Sequence, residues 1–322
     1  MYIFIFFSNL INSLIIGLLG KYIGRQTSLY LSILSLFISN IFVWLIFYEV
    51  IINKSIITCD LYTLLIIENI QIKIGLLFDS LTVFMLLIIF FISLCVNIYS
   101  IGYMGHDPFI IRFFTFLGFF TFFMVVLVTS DNFLQLFVGW EGVGVCSYLL
   151  INFWYNRIAA NKGAIKAMVM NRIADVFFII GILFLLWKFK TTDYIIVFSL
   201  IDYIKDVNFF LIFWEVNLVN LIVFLLFIGA IGKSAQVGLH TWLADAMEGP
   251  TPVSSLLHAA TMVIYLLLLF KYFFTISLYW ICIINIKNFC YLLEYTIRKK
   301  KKYEKGKSAW NFKKRHFRDY MH

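Results

Sequence analysis

Long apolar runs separated by short polar connections dominate the pattern of this sequence. Eight of these runs exceed the roughly 17 residues that an α-helix needs to cross the hydrocarbon core of a bilayer. They cover about 2–20, 28–52, 80–104, 111–129, 132–154, 163–187, 212–243 and 253–283. The pattern therefore predicts an all-α polytopic membrane helix bundle with about eight transmembrane helices.

Two longer connections carry patterns of their own. Residues 53–79 and 188–211 alternate or are amphipathic, which indicates structure lying at the membrane interface. Within the second, apolar side chains recur at helical spacing over 193–207 and predict a surface helix. Asp79, directly before the third run, is predicted to cap its helix. We expect a membrane domain over 1–283 and a basic tail over 284–322.

Composition supports the membrane assignment. The chain is 62% hydrophobic and 13% charged, with a mean hydropathy of +0.93. Five cysteines form no CxxC pair and five histidines no HxxxH pair, so neither a metal site nor an iron–sulfur cluster is indicated. The first 20 residues lack the features of a cleaved signal peptide and are interpreted as a retained span. Basic loop residues number six on one side and five on the other, which leaves orientation undecided.

Polar groups interrupt the apolar pattern within 229–263. Lys233 and His240 are seven residues apart, so a helix would place them on one face. A lysine at the centre of a bilayer costs about 2.5–3.5 kcal/mol and should face protein or water; the alternative is a lysine that snorkels from a helix end. The glycines of 229–232 and the EGPTP segment at 248–252 predict an interrupted span, broken there or shortly after.

Glu141 lies well inside an apolar run. It follows Asp131 by ten residues, which puts it roughly 15 Å into the span at about 1.5 Å per residue. Gly139, Gly142 and Gly144 leave room beside its carboxylate for a neighbouring backbone or water. Two interpretations stay open: a structural ion pair, or a carboxylate whose protonation follows a cation that comes and goes.

Other titratable groups occur on separate apolar segments. Arg172 and Asp175 lie one turn apart and can pair within their own helix, so Asp175 has either a structural or a functional role. A wider set of such groups consists of Glu141, Lys233, His240 and His258. They should face one another because none can face lipid, and coupled acids and bases are what a proton relay requires. The residues alone therefore indicate a multispan proton or cation translocator.

Three long motifs carry a family resemblance. They are DNFLQLFVGWEGVGVCSYLLINFWY (131–155), MNRIADVFF (170–178) and GAIGKSAQVGLHTWLADAMEGPTPVSSLLHAATMV (229–263). In this order they resemble subunit 5 of NADH:ubiquinone oxidoreductase, an antiporter-like subunit family of respiratory complex I. That family is similar to the large subunit of multisubunit sodium/proton antiporters. The resemblance covers about 75–263, and departs from the family pattern at Ala174 and Ala244.

The resemblance implies proton translocation driven by electron transfer from NADH to ubiquinone in other subunits. The family's glutamate–lysine pair corresponds to Glu141 and Lys233, and its relay or coupling residues to Asp175 and His258. It also implies that this chain binds no cofactor, since NADH, FMN, iron–sulfur clusters and ubiquinone belong to other subunits. Further implications are membrane-arm subunits as partners and a place in the mitochondrial inner membrane. The alternative is a subunit of a multisubunit cation/proton antiporter.

The resemblance stops after Val263, whereas family members continue through about eight more spans. We therefore expect a split subunit, in which a separate chain supplies the missing C-terminal half beside 253–283; a non-pumping remnant is the other interpretation. Residues 298–318 hold eleven Lys or Arg against one acid, Glu304. Such a tail indicates binding to lipid phosphates or an acidic partner rather than to nucleic acid.

Overall fold

The computed structural model describes residues 1–67, 70–204, 207–211, 214–236 and 238–257. Its helices are α1 (Tyr2–Ile23), α2 (Arg25–Phe47), α3 (Ser80–Tyr103), α4 (Ile110–Val128), α5 (Phe133–Ile151), α6 (Ile158–Phe189), α7 (Tyr194–Ile204), α8 (Leu218–Lys233), α9 (Thr241–Ala246) and α10 (Thr251–Leu256). Two antiparallel hairpins are formed by β1 (Ile57–Ile67) with β2 (Ile70–Phe78) and by β3 (Asn208–Leu211) with β4 (Trp214–Asn217).

The helical membrane bundle predicted from the apolar runs is confirmed, and its count of spans is approximate. Within the described residues, six helices are long and apolar enough to cross a membrane, namely α1 to α6, with α2 extended by a π-helical turn to Ile52. The run over 212–243 is not one span, because it contains β4, the 16-residue helix α8 and a break. Most of 253–283 lies outside the described residues.

The two predicted interface segments contain three of the four strands that the structure describes, together with α7. Residues 57–78 pair as a hairpin from Ile57 opposite Phe78, with irregularities that accommodate two extra residues in β1. The surface helix predicted over 193–207 is present as α7. It buries Tyr194 and Val197 while Ile195 is 70% exposed, so it lies with one face on the protein.

Helix α3 begins with the predicted cap. Asp79 Oδ1 accepts a hydrogen bond from the Thr82 N–H at 2.9 Å, and Thr82 Oγ1 accepts one from the Asp79 N–H at 2.8 Å. This reciprocal arrangement satisfies two amide donors at the helix start. The prediction for Asp79 is therefore confirmed.

Glycines bring the central helices close together. A β-carbon at Gly139 on α5 would lie 2.7 Å from the Leu127 nitrogen on α4, so these backbones touch. On α8, a β-carbon at Gly232 would lie 2.1 Å from the Ala174 β-carbon on α6. Helix α5 thus packs between α4 and α6, and α8 packs on α6, which positions the charged residues described below.

The polar loop before α5 is fixed at the aqueous end of the bundle by two other segments. The Leu77 N–H donates to the Thr129 carbonyl at 2.8 Å, and the Tyr194 N–H to the Asp131 carbonyl at 3.2 Å. The Asn132 side-chain amide donates to the Lys73 carbonyl at 2.6 Å. We call this meeting of β2, the loop before α5 and the start of α7 the aqueous junction.

Candidate functional site

The predicted break in the lysine-bearing span is present directly after Lys233. Helix α8 ends there, and the chain turns through Ala235 and Gly238, whose φ angles are 48° and 107°. Left-handed backbone of this kind cannot continue an α-helix. The Trp242 indole N–H donates to the Gly232 carbonyl at 3.1 Å, which anchors α9 to the end of α8.

His240 is placed differently from the sequence expectation. It precedes α9 and is exposed, whereas Lys233 is buried at the end of α8. The expectation that one helix face carries both residues is wrong, because the turn at Ala235 and Gly238 separates their helices. His258 lies outside the described residues.

The ammonium group of Lys233 is held against α5. Its side chain is 5% exposed, and Nζ donates to the Trp140 carbonyl at 3.0 Å. It also lies 5.6 Å from the centre of the Trp140 ring, within cation–π range. A β-carbon at Gly144, one turn further along α5, would lie 2.6 Å from Nζ. The absence of a side chain at Gly144 therefore lets the lysine approach the helix backbone.

Glu141, next to Trp140, pairs with a residue of the neighbouring helix. Its Oε1 accepts a hydrogen bond from Arg172 Nη1 at 2.7 Å, with the two side chains 22% and 52% exposed. The sequence spacing predicted that Arg172 could pair with Asp175 along α6. In the structure, Arg172 forms its ion pair with Glu141 instead. The lateral reach of arginine across the α5–α6 contact explains the difference.

Asp175 is buried and contacts Trp140 rather than a cation. It is 3% exposed, and its Oδ1 accepts a hydrogen bond from the Trp140 indole N–H at 2.6 Å. The indole stacks on the Phe178 ring, with centroids 4.7 Å apart and planes inclined by 11°. Trp140 is thus fixed by its ring, its N–H and its carbonyl group at once.

These contacts join three helices into one cluster, which consists of Trp140, Glu141, Arg172, Asp175 and Lys233. We call it the buried charge cluster after its buried members Trp140, Asp175 and Lys233, whereas the Glu141–Arg172 pair lies at its more exposed side. The Lys233 ammonium interacts electrostatically with the Asp175 and Glu141 carboxylates and with the Arg172 guanidinium. Such coupling means that a proton gained or lost by one member changes the charge state favoured at the others. The arrangement is suited to exchanging protons. Among the residues that the structure describes, no three His, Cys, Asp or Glu could hold a metal ion.

Two members of the cluster were not assigned these roles from the sequence. Trp140 was visible only as part of the GWEG motif, and Arg172 only as a neighbour of Asp175. An arginine inside an apolar run must find a partner, so the signal for Arg172 was present. Its partner 31 residues earlier could not be found from local spacing.

The aqueous junction holds a second set of charges at the start of α5. Lys73 forms a 2.9 Å ion pair with Asp60, which raises the pKa of Lys73. Burial, followed by the charge of Asp193, raises the pKa of Asp131 to about 6. Burial also raises the pKa of Asp193, although Lys73 lowers it. Acids here titrate closer to neutral pH than free aspartates do.

Two family models match the chain. The model described as NADH:quinone oxidoreductase/Mrp antiporter, TM, matches residues 130–295, which include the whole buried charge cluster. The model described as NADH-ubiquinone oxidoreductase (complex I), chain 5 N-terminus, matches residues 64–114. The two matches together cover β2, α3 and the helices from α5 to α10.

Individual relatives agree with these models. The chain is 48% identical over 260 residues to an NADH-ubiquinone oxidoreductase chain 5 of Phytophthora infestans, covering 79% of this chain and 38% of that relative. It is 51% identical over 255 residues to one of Acanthamoeba castellanii, covering 79% of this chain and 38% of that relative. The chain therefore spans well under half the length of these curated relatives.

Two solved structures share the fold. A chain of the archaeal membrane-bound sulfane sulfur reductase has a TM-score of 0.73 at 16% identity, with 84% of this chain and 52% of that chain covered. A chain of the Mrp complex from Dietzia sp. DQ12-45-1b has a TM-score of 0.67 at 23% identity, with 82% and 27% covered. The helix arrangement is thus shared with chains of these two membrane complexes. By its fold and its sequence matches, this chain belongs to the NADH:quinone oxidoreductase/Mrp antiporter family.

Proposed function

We propose that this chain is a proton-translocating part of the membrane arm of an NADH:ubiquinone oxidoreductase. The observation that carries the proposal is the buried charge cluster, in which Glu141, Asp175 and Lys233 come from three different helices. Four ionisable side chains between membrane helices are costly and are retained where they serve ion or proton movement. The names of the relatives indicate which enzyme this would serve.

In this proposal, Glu141 alternates between two cations. With Arg172 as the partner of Glu141, the Lys233 ammonium donates its hydrogen bond to the neutral Trp140 carbonyl rather than to the Glu141 carboxylate. A shift of Glu141 towards Lys233 would favour the charged lysine, and a return to Arg172 would favour proton release from it. Asp175 keeps part of the compensating charge in place, because the indole of Trp140 holds its carboxylate.

We infer that electron transfer takes place in other subunits, where NADH, FMN, iron–sulfur clusters and ubiquinone act. This chain contributes the proton step, and the assembly lies in the mitochondrial inner membrane. The eukaryotic relatives support that location. Purification of the assembled complex with its flavin and iron–sulfur subunits would distinguish this function from a cation/proton antiporter. A preparation that lacks them and exchanges sodium for protons would favour the antiporter.

The proposed function also needs protein or water to cover the Arg172–Glu141 pair. The half-exposed Arg172–Glu141 pair must be covered by protein or water rather than lipid, because a charged pair facing hydrocarbon is costly. A separate chain that packs beside 253–283 remains our proposal for this role. The subunit inventory of the complex tests it, and an inventory without such helices would leave a non-pumping remnant as the interpretation.

Replacement of Glu141 by Gln tests the proton step. The amide retains the shape of the side chain but cannot take up or release a proton, so the number of protons pumped per NADH should fall while NADH oxidation continues in the assembled complex. The matched control is Asp60→Asn, which removes one partner of an exposed ion pair in β1. An unchanged ratio of protons to NADH in an assembled Glu141→Gln complex would refute the assignment.

A further inference from the structure

A cavity opens at the end of the bundle opposite to the β1–β2 hairpin. It has a volume of about 340 Å³ and lies between the start of α2, the end of α3 and the start of α4. Its walls are the apolar side chains of Leu29, Ile101 and Ile110. The buried charge cluster contributes no residue to it, so the function proposed above does not account for this cavity.

The mouth of the cavity is polar and carries positive charge. Arg25, Gln26 and Tyr30 line it, together with Gly105. One guanidinium nitrogen of Arg25 donates a hydrogen bond to the Gly105 carbonyl, which fixes the side chain over the opening. A guanidinium group has five N–H donors in a planar fork, so several remain to bind a second acceptor.

The charge around this opening favours an anion. No acid is among the described residues that line the cavity, and the first turn of α2 contains none. The nearby Asp107 carboxylate instead accepts hydrogen bonds from the Trp154 indole at 3.1 Å and from the Phe109 N–H at 2.9 Å. A phosphate group would therefore meet Arg25 without a competing carboxylate, whereas a choline or ethanolamine cation would find no acidic partner in the lining.

An apolar stripe leads from the cavity down α2. Tyr30, Leu34, Phe37 and Ile41 recur at helical spacing and are 69%, 59%, 56% and 49% exposed. The stripe runs along a membrane span, and the tyrosine lies at its polar end, where aromatic side chains meet lipid headgroups. A surface of this kind fits an acyl chain that continues from a headgroup held in the cavity.

From these features we propose that the cavity binds the headgroup of an anionic glycerophospholipid. Arg25 binds the phosphate, the apolar walls enclose the glycerol region, and an acyl chain lies along the stripe on α2. The volume is at the lower end of that of ligand pockets, which suits a headgroup rather than a whole lipid. This site contains no member of the buried charge cluster and does not depend on proton translocation.

The test uses the assembled complex in nanodiscs that contain equal amounts of phosphatidylglycerol and phosphatidylcholine. Native mass spectrometry counts the lipids retained. We expect Arg25→Gln to lower retention of phosphatidylglycerol about tenfold, because a hydrogen bond to a charged group is lost. Lys21→Gln is the matched control, since Lys21 is an exposed basic residue in the last turn of α1 that does not line the cavity. Equal retention in both variants would overturn the proposal.

Three further measurements test the proposal without changing the charge of the protein. Ile101→Phe fills the cavity without altering charge and should also release the lipid; full retention would contradict the proposed location. A photo-crosslinking amino acid at Leu34 should yield a lipid adduct, whereas a peptide adduct would show that a partner helix covers the stripe and would overturn the acyl-chain assignment. Excess inorganic phosphate that displaces phosphatidylglycerol completely would show a free phosphate site instead.

Discussion

The buried charge cluster and the aqueous junction each contain a charged side chain packed against a glycine. They differ in how far the charged group can move away from that glycine. In the cluster, Lys233 reaches α5 beside Gly144 with the tip of a long, flexible chain. In the junction, the Asp131 carboxylate lies on Gly75, where a β-carbon would be 1.8 Å from Oδ2. Aspartate is short and its backbone is bonded to α7, so it cannot withdraw. One region allows its charged group to move, and the other fixes it.

The two regions also differ in what compensates the charge. Each charged member of the cluster has a donor or acceptor on another helix. Asp131 is contacted by N–H groups, including the Asn132 side-chain amide at 2.9 Å, and the charges of Asp193 and Asp60 oppose its ionisation. A carboxylate in that setting keeps its proton to higher pH. The buried charge cluster should therefore be sensitive to substitutions that change contacts between helices, and Asp131 to changes of pH and of the neighbouring acids.

Gly75→Ala should have the largest effect on stability. The new methyl group would collide with a carboxylate that cannot move, so β2 must separate from the loop before α5. We expect a loss of about 3 kcal/mol, at the upper end of overpacking costs, measured by thermal unfolding of the purified protein. Gly102→Ala is the control, because no other part of the chain that the structure describes lies within 4 Å of the added carbon. Equal losses in both variants would contradict the fixed position of Asp131.

Gly144→Ala should cost less stability and more function. The lysine tip can move away from the added methyl group, but it then loses its bond to the Trp140 carbonyl. We expect a loss of about 1–2 kcal/mol, as for a hydrogen bond to a charged group, and fewer protons pumped per NADH. Proton uptake by reconstituted vesicles during NADH oxidation measures the second effect. Wild-type pumping in a variant with this stability loss would separate Lys233 from the proton step.

Asp131→Asn should remove a pH dependence of stability. Because the pKa of Asp131 is raised from 3.8 to about 6, folding favours the protonated acid. Its stabilising contribution is complete below about pH 4 and is lost as the pH rises through about 6. After solvent screening we expect about 1 kcal/mol between pH 4 and pH 7.5. Unfolding scans across this range should show a smaller decline for the asparagine variant than for the wild type; identical curves would count against the burial of Asp131.

Asp60→Asn should have the smallest effect. The Lys73–Asp60 pair is exposed, with side chains 38% and 59% accessible, and such pairs contribute about 0–1 kcal/mol. The substitution also removes a negative charge that raises the pKa values of Asp131 and Asp193. A small downward shift of the Asp131 titration, followed by NMR or by the pH profile of stability, is the expected readout. A loss above about 2 kcal/mol would show that the pair is structural.

The sequence predicted what depends on local pattern and missed what depends on contacts between distant segments. The spans, the cap at Asp79, the helix over 193–207 and the break beside Lys233 follow from hydropathy, helical spacing and glycine content. The partner of Glu141 does not, because Arg172 lies one helix away and its spacing to Asp175 offered a local alternative. The position of His240 was missed because helical periodicity assumes a continuous helix, and the positive φ of Ala235 had no sequence signal.

The end of α8 at Lys233 has an electrostatic consequence of its own. Peptide dipoles along a helix sum to a partial negative charge at its C-terminus, so a cation in the last turn is stabilised by about 0.3–2 kcal/mol, most where it is partly buried. In an unbroken helix the same lysine would lie where this macrodipole has no net effect. The break therefore places about half an elementary negative charge beside the buried Lys233 ammonium. A variant with a continuous helix through 233–241 would stabilise the charged form of this lysine less.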